Sequence, residues 1–400
     1  MPHAGEFRRG WPIVLVAASG VGLGIAGLLT YTAGIFAKDL EIAIGLSRTG
    51  LGWAFFLSTV TLAMALPFVG WLIDRFGARG PAAFGSVALS GGFLALGTVV
   101  HSIPAYLAVM AAIGFLAACS APVAYTRAVS AAFDRSRGLA LGLTQLGIGL
   151  SAMILPPILA GIVATNGWQI GYLALSAIAL AGVIPALSLP GKPRTAAPAA
   201  NVAVAAALRS RDFIMLLAAF GTMALSFAGL LPHFVPMLRE AGMAPRDAGL
   251  VAGAIGASVI VSRVVVGWLA DRLRAARLAA ACCALCAAGC LTLAAQGVTF
   301  AWIGAIALGT AMGAEADLIG YMTARRFGIA GYGRLYAIQY ASFMLMAGFG
   351  PLWVGAMADY TGSYDVPLMM AAAGLVVALV LFLRLSDIRH DADEADQRAR

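Results

Sequence analysis

Charge is what this chain has least of. Of its 400 residues 11% are Asp, Glu, Lys or Arg, while 61% are hydrophobic and the mean hydropathy is +0.91. A typical soluble domain carries about 25% charged residues. No water-soluble fold of this length could hide so much apolar surface, so lipid is the solvent for most of it. Histidine is scarce, with four in all, and four of the five cysteines stand together in ACCALCAAGC as Cys282, Cys283, Cys286 and Cys290. That stretch is Ala-rich, wholly apolar and without a neighbouring His or carboxylate. It reads as small residues on a packed membrane helix, not as a metal site. No metal, cofactor or disulfide is expected. Nor is an enzyme, because no clustered nucleophile or nucleotide-binding loop is present. The net charge of +8 falls in short clusters between apolar runs. Without aromatic–basic interleaving or zinc-finger spacing, it does not describe a nucleic-acid partner.

What is present is apolar length. A helix needs about 20 apolar residues to cross a bilayer, and such runs occur near 11–37, 49–73, 81–100, 103–127, 138–164 and 169–189. They resume near 212–238, 248–270, 277–297, 300–324, 333–358 and 364–385. The first run is too long for the apolar core of a signal peptide, about 7–15 residues. Between the two sets lies LPGKPRTAAPAANVAVAAALRSRD, the one sizeable interior polar stretch. The expected architecture is an all-α membrane protein of twelve transmembrane helices in two pseudo-symmetric six-helix bundles. Its parts are a bundle over 1–189, a cytoplasmic linker over 190–211, a second bundle over 212–386 and a tail over 387–400. Lys and Arg set the orientation. Twenty lie in the loops and termini on the amino-terminal side, four lie opposite, and Arg127 and Arg263 fall within helices. By the positive-inside rule both termini are cytoplasmic, and the expected location is a bacterial inner membrane. Oligomeric state is not legible, and a monomer suffices.

One charged phrase is spelled twice: GWLIDRFGARG at 70–80 and GWLADRLR at 267–274, offset by 197 positions. The copies close the second and eighth apolar runs, as a duplicated 6+6 chain requires. In such chains substrate binds at the midplane between halves that rock around it. Asp74 and Asp271 end their helices at the carboxyl pole, where the macrodipole disfavours an anion. Each therefore needs positive charge nearby, and such a contact can form in one state and break in another. Gly70, Asp74, Arg75, Gly77 and Arg79, with Gly267, Asp271 and Arg272, are the candidate gating residues. The second copy has Arg274 where the first has Gly77.

This phrase resembles the loop 2–3 signature of the major facilitator superfamily. Further stretches resemble its monocarboxylate transporter and oxalate/formate antiporter-like branch: IFAKDLE at 35–41, FDRSRGLALGLTQLGIGLS at 133–151, ADLIGYMTARRFG at 316–328 and GPLWVGAMADYTGSYDVP at 350–367. The resemblance implies secondary transport of a small organic carboxylate with a proton, with Arg263 matching the branch's carboxylate-binding arginine. Exchange of one carboxylate for another, or export of a drug or other solute, are the alternatives it leaves.

Arg263 stands eight residues before Asp271, about 12 Å up its helix. A charge at that depth costs at least ~2.5 kcal/mol, so it should face a cavity or a partner. A guanidinium holds a carboxylate through two parallel hydrogen bonds. Tyr125, His233, Tyr321 and Tyr340 are candidate further contacts to substrate, although packing explains such residues as well. Glu315 and Asp317 are the other costly charges. Two positions apart on a helix, they point to roughly opposite faces, so the two are not expected to line one cavity. Either is a candidate to pair with Arg263 or to carry a coupled proton, and a structural bridge to Arg127 or a neighbouring helix terminus explains them as well. Arg127 either reaches the cavity or snorkels to the interface. The resemblance adds Lys38 to the coupling candidates. The branch pairs that lysine's role with an aspartate four residues before the arginine, where this chain has Val259.

Overall fold

The computed structural model describes residues 3–133, 137–190, 207–270, 272–327 and 332–385, and among them no strand occurs. Eleven helical runs are long and apolar enough to cross a membrane. One of them, Ala275–Phe327, has 53 residues. At 1.5 Å per residue it would stretch about 80 Å if straight, far beyond a hydrocarbon layer of about 30 Å. It folds back instead at Gly297, whose φ of 65° is open to glycine alone, and its two arms pack against each other. That makes twelve spanning helices among the described residues.

They are α1 (Gly10–Ile44), α2 (Arg48–Phe76), α3 (Arg79–Thr98), α4 (Ile103–Val129), α5 (Arg137–Asn166) and α6 (Trp168–Leu187). The second set is α7 (Arg211–Glu240), α8 (Pro245–Ala270), α9 (Ala275–Gln296), α10 (Ala301–Phe327), α11 (Tyr332–Thr361) and α12 (Asp365–Leu383). Of the expected linker, 191–206 lie outside the described residues, as does the tail from 386 onward.

Packing repeats the duplication. In the amino half α1 lies along α5, α2 along α4 and α3 along α6. In the carboxyl half α7 lies along α11, α8 along α10 and α9 along α12. The halves meet at two equivalent seams, α5 with α8 and α2 with α11. Lipid-solvated helices gain little from hydrophobicity when they associate, so close backbone approach at small residues holds the seams. A Cβ on Gly256 would fall 2.2 Å from the Met153 nitrogen, and one on Gly355 would fall 2.3 Å from the Arg48 carbonyl oxygen. Gly253 and Gly249 on the first seam and Gly52 on the second are nearly as tight, at 2.7, 2.6 and 2.5 Å. All of these lie in the helix halves remote from the amino-terminal face. Near that face Gly70, Gly142 and Gly267 have nothing within 4 Å of where a Cβ would be. The two bundles thus close at the far end and part toward the amino-terminal face.

Three of the helices are broken in mid-course. α1 is interrupted between Gly22 and Ile25, α4 passes through a tight turn at Ala117–Ser120, and α7 does so at Ala228–Leu230. A break frees backbone groups that lipid cannot satisfy. Here the breaks of α1 and α4 meet each other, and that of α7 lies against Gly350 of α11. The Ile25 N–H donates to Ser120 Oγ at 3.2 Å, and Gly24 lies against the Ser120 carbonyl.

Candidate functional site

The charges inside the protein gather between the bundles. Arg263 is seven residues from the end of α8, and Glu315 is fourteen residues into α10, near its middle. These helices are drawn together by Gly313, which lies against the Val259 carbonyl, and by Ser262 Oγ donating to the Thr310 carbonyl at 2.7 Å. Val259 itself is buried in this helix contact, so the position where the branch carries an aspartate is packing surface here. Both charged side chains are half-buried, with Arg263 Nε and Glu315 Oε2 shielded from solvent. Two phenols stand within their electrostatic reach, Tyr340 of α11 and Tyr31 of α1. Tyr340 stacks between Tyr336 and Phe343, with ring centroids 5.8 and 6.1 Å away, which fixes its ring direction. Tyr31 comes from the other bundle, so the cluster is closed by both halves. A cation, a carboxyl group and two hydroxyls at mid-depth can hold a small anion and exchange a proton beside it.

Of the expected contacts, Arg263, Glu315 and Tyr340 come together, and Tyr31 joins them although nothing in its local sequence marks it. The others lie elsewhere. Tyr125 is fully buried inside the amino bundle, its ring filling the space at Gly20 of α1. Tyr321 is about 9 Å further along α10 toward the amino-terminal face, with the Arg325 guanidinium 5.4 Å from its ring centre. Arg127 is exposed near that same face. Lys38 is partly exposed at the far end of α1 and pairs with Glu41 at 2.9 Å. His233 is buried, with Nε2 2.9 Å from the Pro351 carbonyl and Nδ1 3.2 Å from Tyr364 Oη. Burial, with Glu240 nearby, holds the Tyr364 phenol well above its ordinary pKa, so it stays protonated and donates to Nδ1. His233 Nε2–H then donates to Pro351, and the ring ties α7 to α11. The side chain of Asp317, and Asp271 altogether, lie outside what is described, as does the side chain of Asp74.

The far end is closed by a crossed set of ion pairs that no sequence feature announced. Arg48 grips both carboxylate oxygens of Glu240, donates to the Ala358 carbonyl at 3.3 Å and lies 3.7 Å from Asp359. The same Asp359 accepts from the Thr49 N–H and hydroxyl at 2.8 and 2.6 Å. The neighbouring Arg239 crosses back to Asp39 at 2.7 Å. Residues 39, 48 and 49 belong to the amino half, and 239, 240, 358 and 359 to the carboxyl half, so every one of these bonds bridges the bundles.

The repeated phrase ends differently in its two copies. Gly77 caps α2 with φ 83°, a conformation that requires glycine. Arg274 precedes α9 with φ −66°, so a side chain is tolerated there. The five cysteines are all buried free thiols.

Two duplicated bundles that share one interface, are latched at one end and gather charge at mid-depth define a membrane carrier. The sequence model of the Major Facilitator Superfamily matches residues 19–316 and 216–399, and the chain belongs to that family of transporters. Human monocarboxylate transporter 11 is 27% identical over 400 residues, covering 96% of this chain and 84% of the relative. The oxalate:formate antiporter of Oxalobacter formigenes is 31% identical over 140 residues, about a third of either chain. Among solved structures, a D-xylose–proton symporter superposes with a TM-score of 0.74 at 16% identity, covering 94% of this chain and 97% of that one. An inward-facing, unoccupied bacterial homologue of the lysosomal transporter Spinster also scores 0.74, at 14% identity over 92% and 95%.

Proposed function

We propose that this integral membrane transporter moves a small organic monocarboxylate together with a proton by alternating access. The observation that carries the reading is Arg263 and Glu315 on tightly packed helices at mid-depth, with Tyr340 and, from the other bundle, Tyr31 within their electrostatic reach. Arg263 binds the carboxylate, the two phenols orient it, and Glu315 carries the proton. A single basic side chain in the cluster suits one negative charge better than two. The Lys and Arg distribution supports placing the amino-terminal face in the cytoplasm, with both termini inside. The conformation described is then the inward-open one, and the Arg48 latch closes the outer side. The monocarboxylate relatives support the substrate class.

The test is uptake into proteoliposomes of a panel of labelled mono- and dicarboxylates, with and without an inward-acid pH gradient. Gradient-stimulated uptake of a monocarboxylate that is lost in Arg263→Ala is the expected result. Uptake that requires a second carboxylate inside and ignores the gradient would make the protein an exchanger. Equal activity of wild type and Arg263→Ala on every carboxylate would refute the site.

A further inference from the structure

In each copy of the repeated phrase one arginine turns back onto a tryptophan of its own copy. Trp71 and Trp268 are 49% and 56% exposed, and the arginine four residues after each returns onto the indole. Arg75 Cζ lies 5.7 Å from the Trp71 ring centre and 5.7 Å from that of exposed Phe76. Arg272 Cζ lies 3.9 Å from the Trp268 ring centre, and one guanidinium nitrogen donates to the Trp268 carbonyl at 3.2 Å. Trp71 and Arg75 lie near the end of α2, and Trp268 near the end of α8 with Arg272 two residues past it, where the apolar surface gives way to charged loops.

We propose that Trp71–Arg75 and Trp268–Arg272 are paired binding sites for the phosphate of an anionic phospholipid, one on each half of the carrier. Stacking uses the face of a guanidinium and leaves donors on its edge, the geometry that grips phosphate. The local balance is basic: Arg75 and Arg79 against Asp74, and Arg272, Arg274 and Arg277 against Asp271. The exposed indoles, with Phe76 and Leu273, give acyl chains and glycerol an apolar seat at headgroup level. A free phosphate ion would leave that surface unused, so the occupant is a lipid. The duplication places the two sites on opposite flanks, and both are available in the conformation that parts toward this face.

The test uses the full chain with a single tryptophan kept, at position 71, 268 or 302, and the other six replaced by phenylalanine. Each protein is reconstituted in phosphatidylcholine vesicles containing brominated phosphatidylglycerol or brominated phosphatidylcholine, and quenching gives the relative affinity of the two lipids. Trp302 begins α10 on the opposite face and is equally exposed. The expected preference for the anionic lipid is about fivefold at Trp71 and Trp268 in low salt, weaker in high salt and near one at Trp302. Arg75→Gln abolishes it at Trp71 alone, Arg272→Gln at Trp268 alone, and Arg75→Lys, which keeps the charge but not the planar donors, retains only part of it. In the chain with all seven tryptophans, the double Gln variant loses the anionic excess in quenching. Equal quenching by the two lipids at Trp71 and Trp268, a preference that survives Arg→Gln, or the same preference at Trp302 overturns the proposal.

Discussion

At Arg263 the charge and the shape of the side chain make separable contributions. Lysine keeps the charge but loses the planar pair of donors that meets a carboxylate, so the exchange is not conservative at such a site. Arg263→Lys is expected to raise KM for the monocarboxylate by about ten- to a hundredfold, the value of one charge-assisted hydrogen bond, while a smaller maximal rate survives. Initial rates over a substrate series would show this, and an unchanged KM would remove Arg263 from the binding site. Glu315 is tested by its isostere. Glu315→Gln keeps the volume and hydrogen-bonding capacity but cannot take up or release a proton. It should abolish accumulation driven by a pH gradient and leave exchange of labelled for unlabelled substrate. Loss of both activities together would instead make Glu315 a structural partner. Arg263 and Glu315 were legible in the sequence because a charge inside a hydrocarbon layer is costly and conspicuous. Tyr31 was not, since a tyrosine in a spanning helix is ordinary until another bundle brings it a charged neighbour.

The broken helices show what elements can and cannot announce. The twelve spans follow from apolar length alone, and the GWLIDR/GWLADR repeat marks the duplication. A reversal between the runs 277–297 and 300–324 was also expected, and it falls at Gly297. The interruptions in α1, α4 and α7 were hidden, since their residues, Gly22 to Gly24 or Ala117 to Ser120, look like the small residues of any membrane helix. What allows the break in α1 is a hydroxyl from α4, ninety-five positions away. Ser120→Ala would leave the Ile25 N–H buried without its acceptor, at a cost of about 1–3 kcal/mol. The expected outcome is a lower unfolding temperature of the detergent-solubilised protein, with Ser120→Thr recovering most of the loss. An unchanged melting temperature in Ser120→Ala would mean that the freed N–H finds another acceptor.

For the molecule as a whole, the far-side latch sets how often the carrier opens away from its amino-terminal face. Its members, Asp39, Arg48, Arg239, Glu240 and Asp359, read in sequence as scattered loop charges, because ion pairing across two hundred positions leaves no local pattern. The Arg48 and Glu240 side chains are only 26% and 20% exposed, so their pairing is less screened than a surface salt bridge. All of the latch bonds must break for the bundles to part at this end, so removing one shifts the balance toward the form open at this end. Arg48→Ala is expected to shift it by about 1–2 kcal/mol, roughly five- to thirtyfold in population. Ala37 lines the cleft beside Arg48, Glu240 and Tyr364, and a cysteine placed there reports the opening. Because the native cysteines are buried, its labelling by a membrane-impermeant maleimide can be followed in the full-length protein. The rate should rise in Arg48→Ala and in Glu240→Gln. Combining Arg48→Glu with Glu240→Arg should bring it back only in part, since a carboxylate at position 48 would face Asp359. Labelling equally fast in wild type and both single variants would show that the glycine-lined seams, not these ion pairs, hold that end shut.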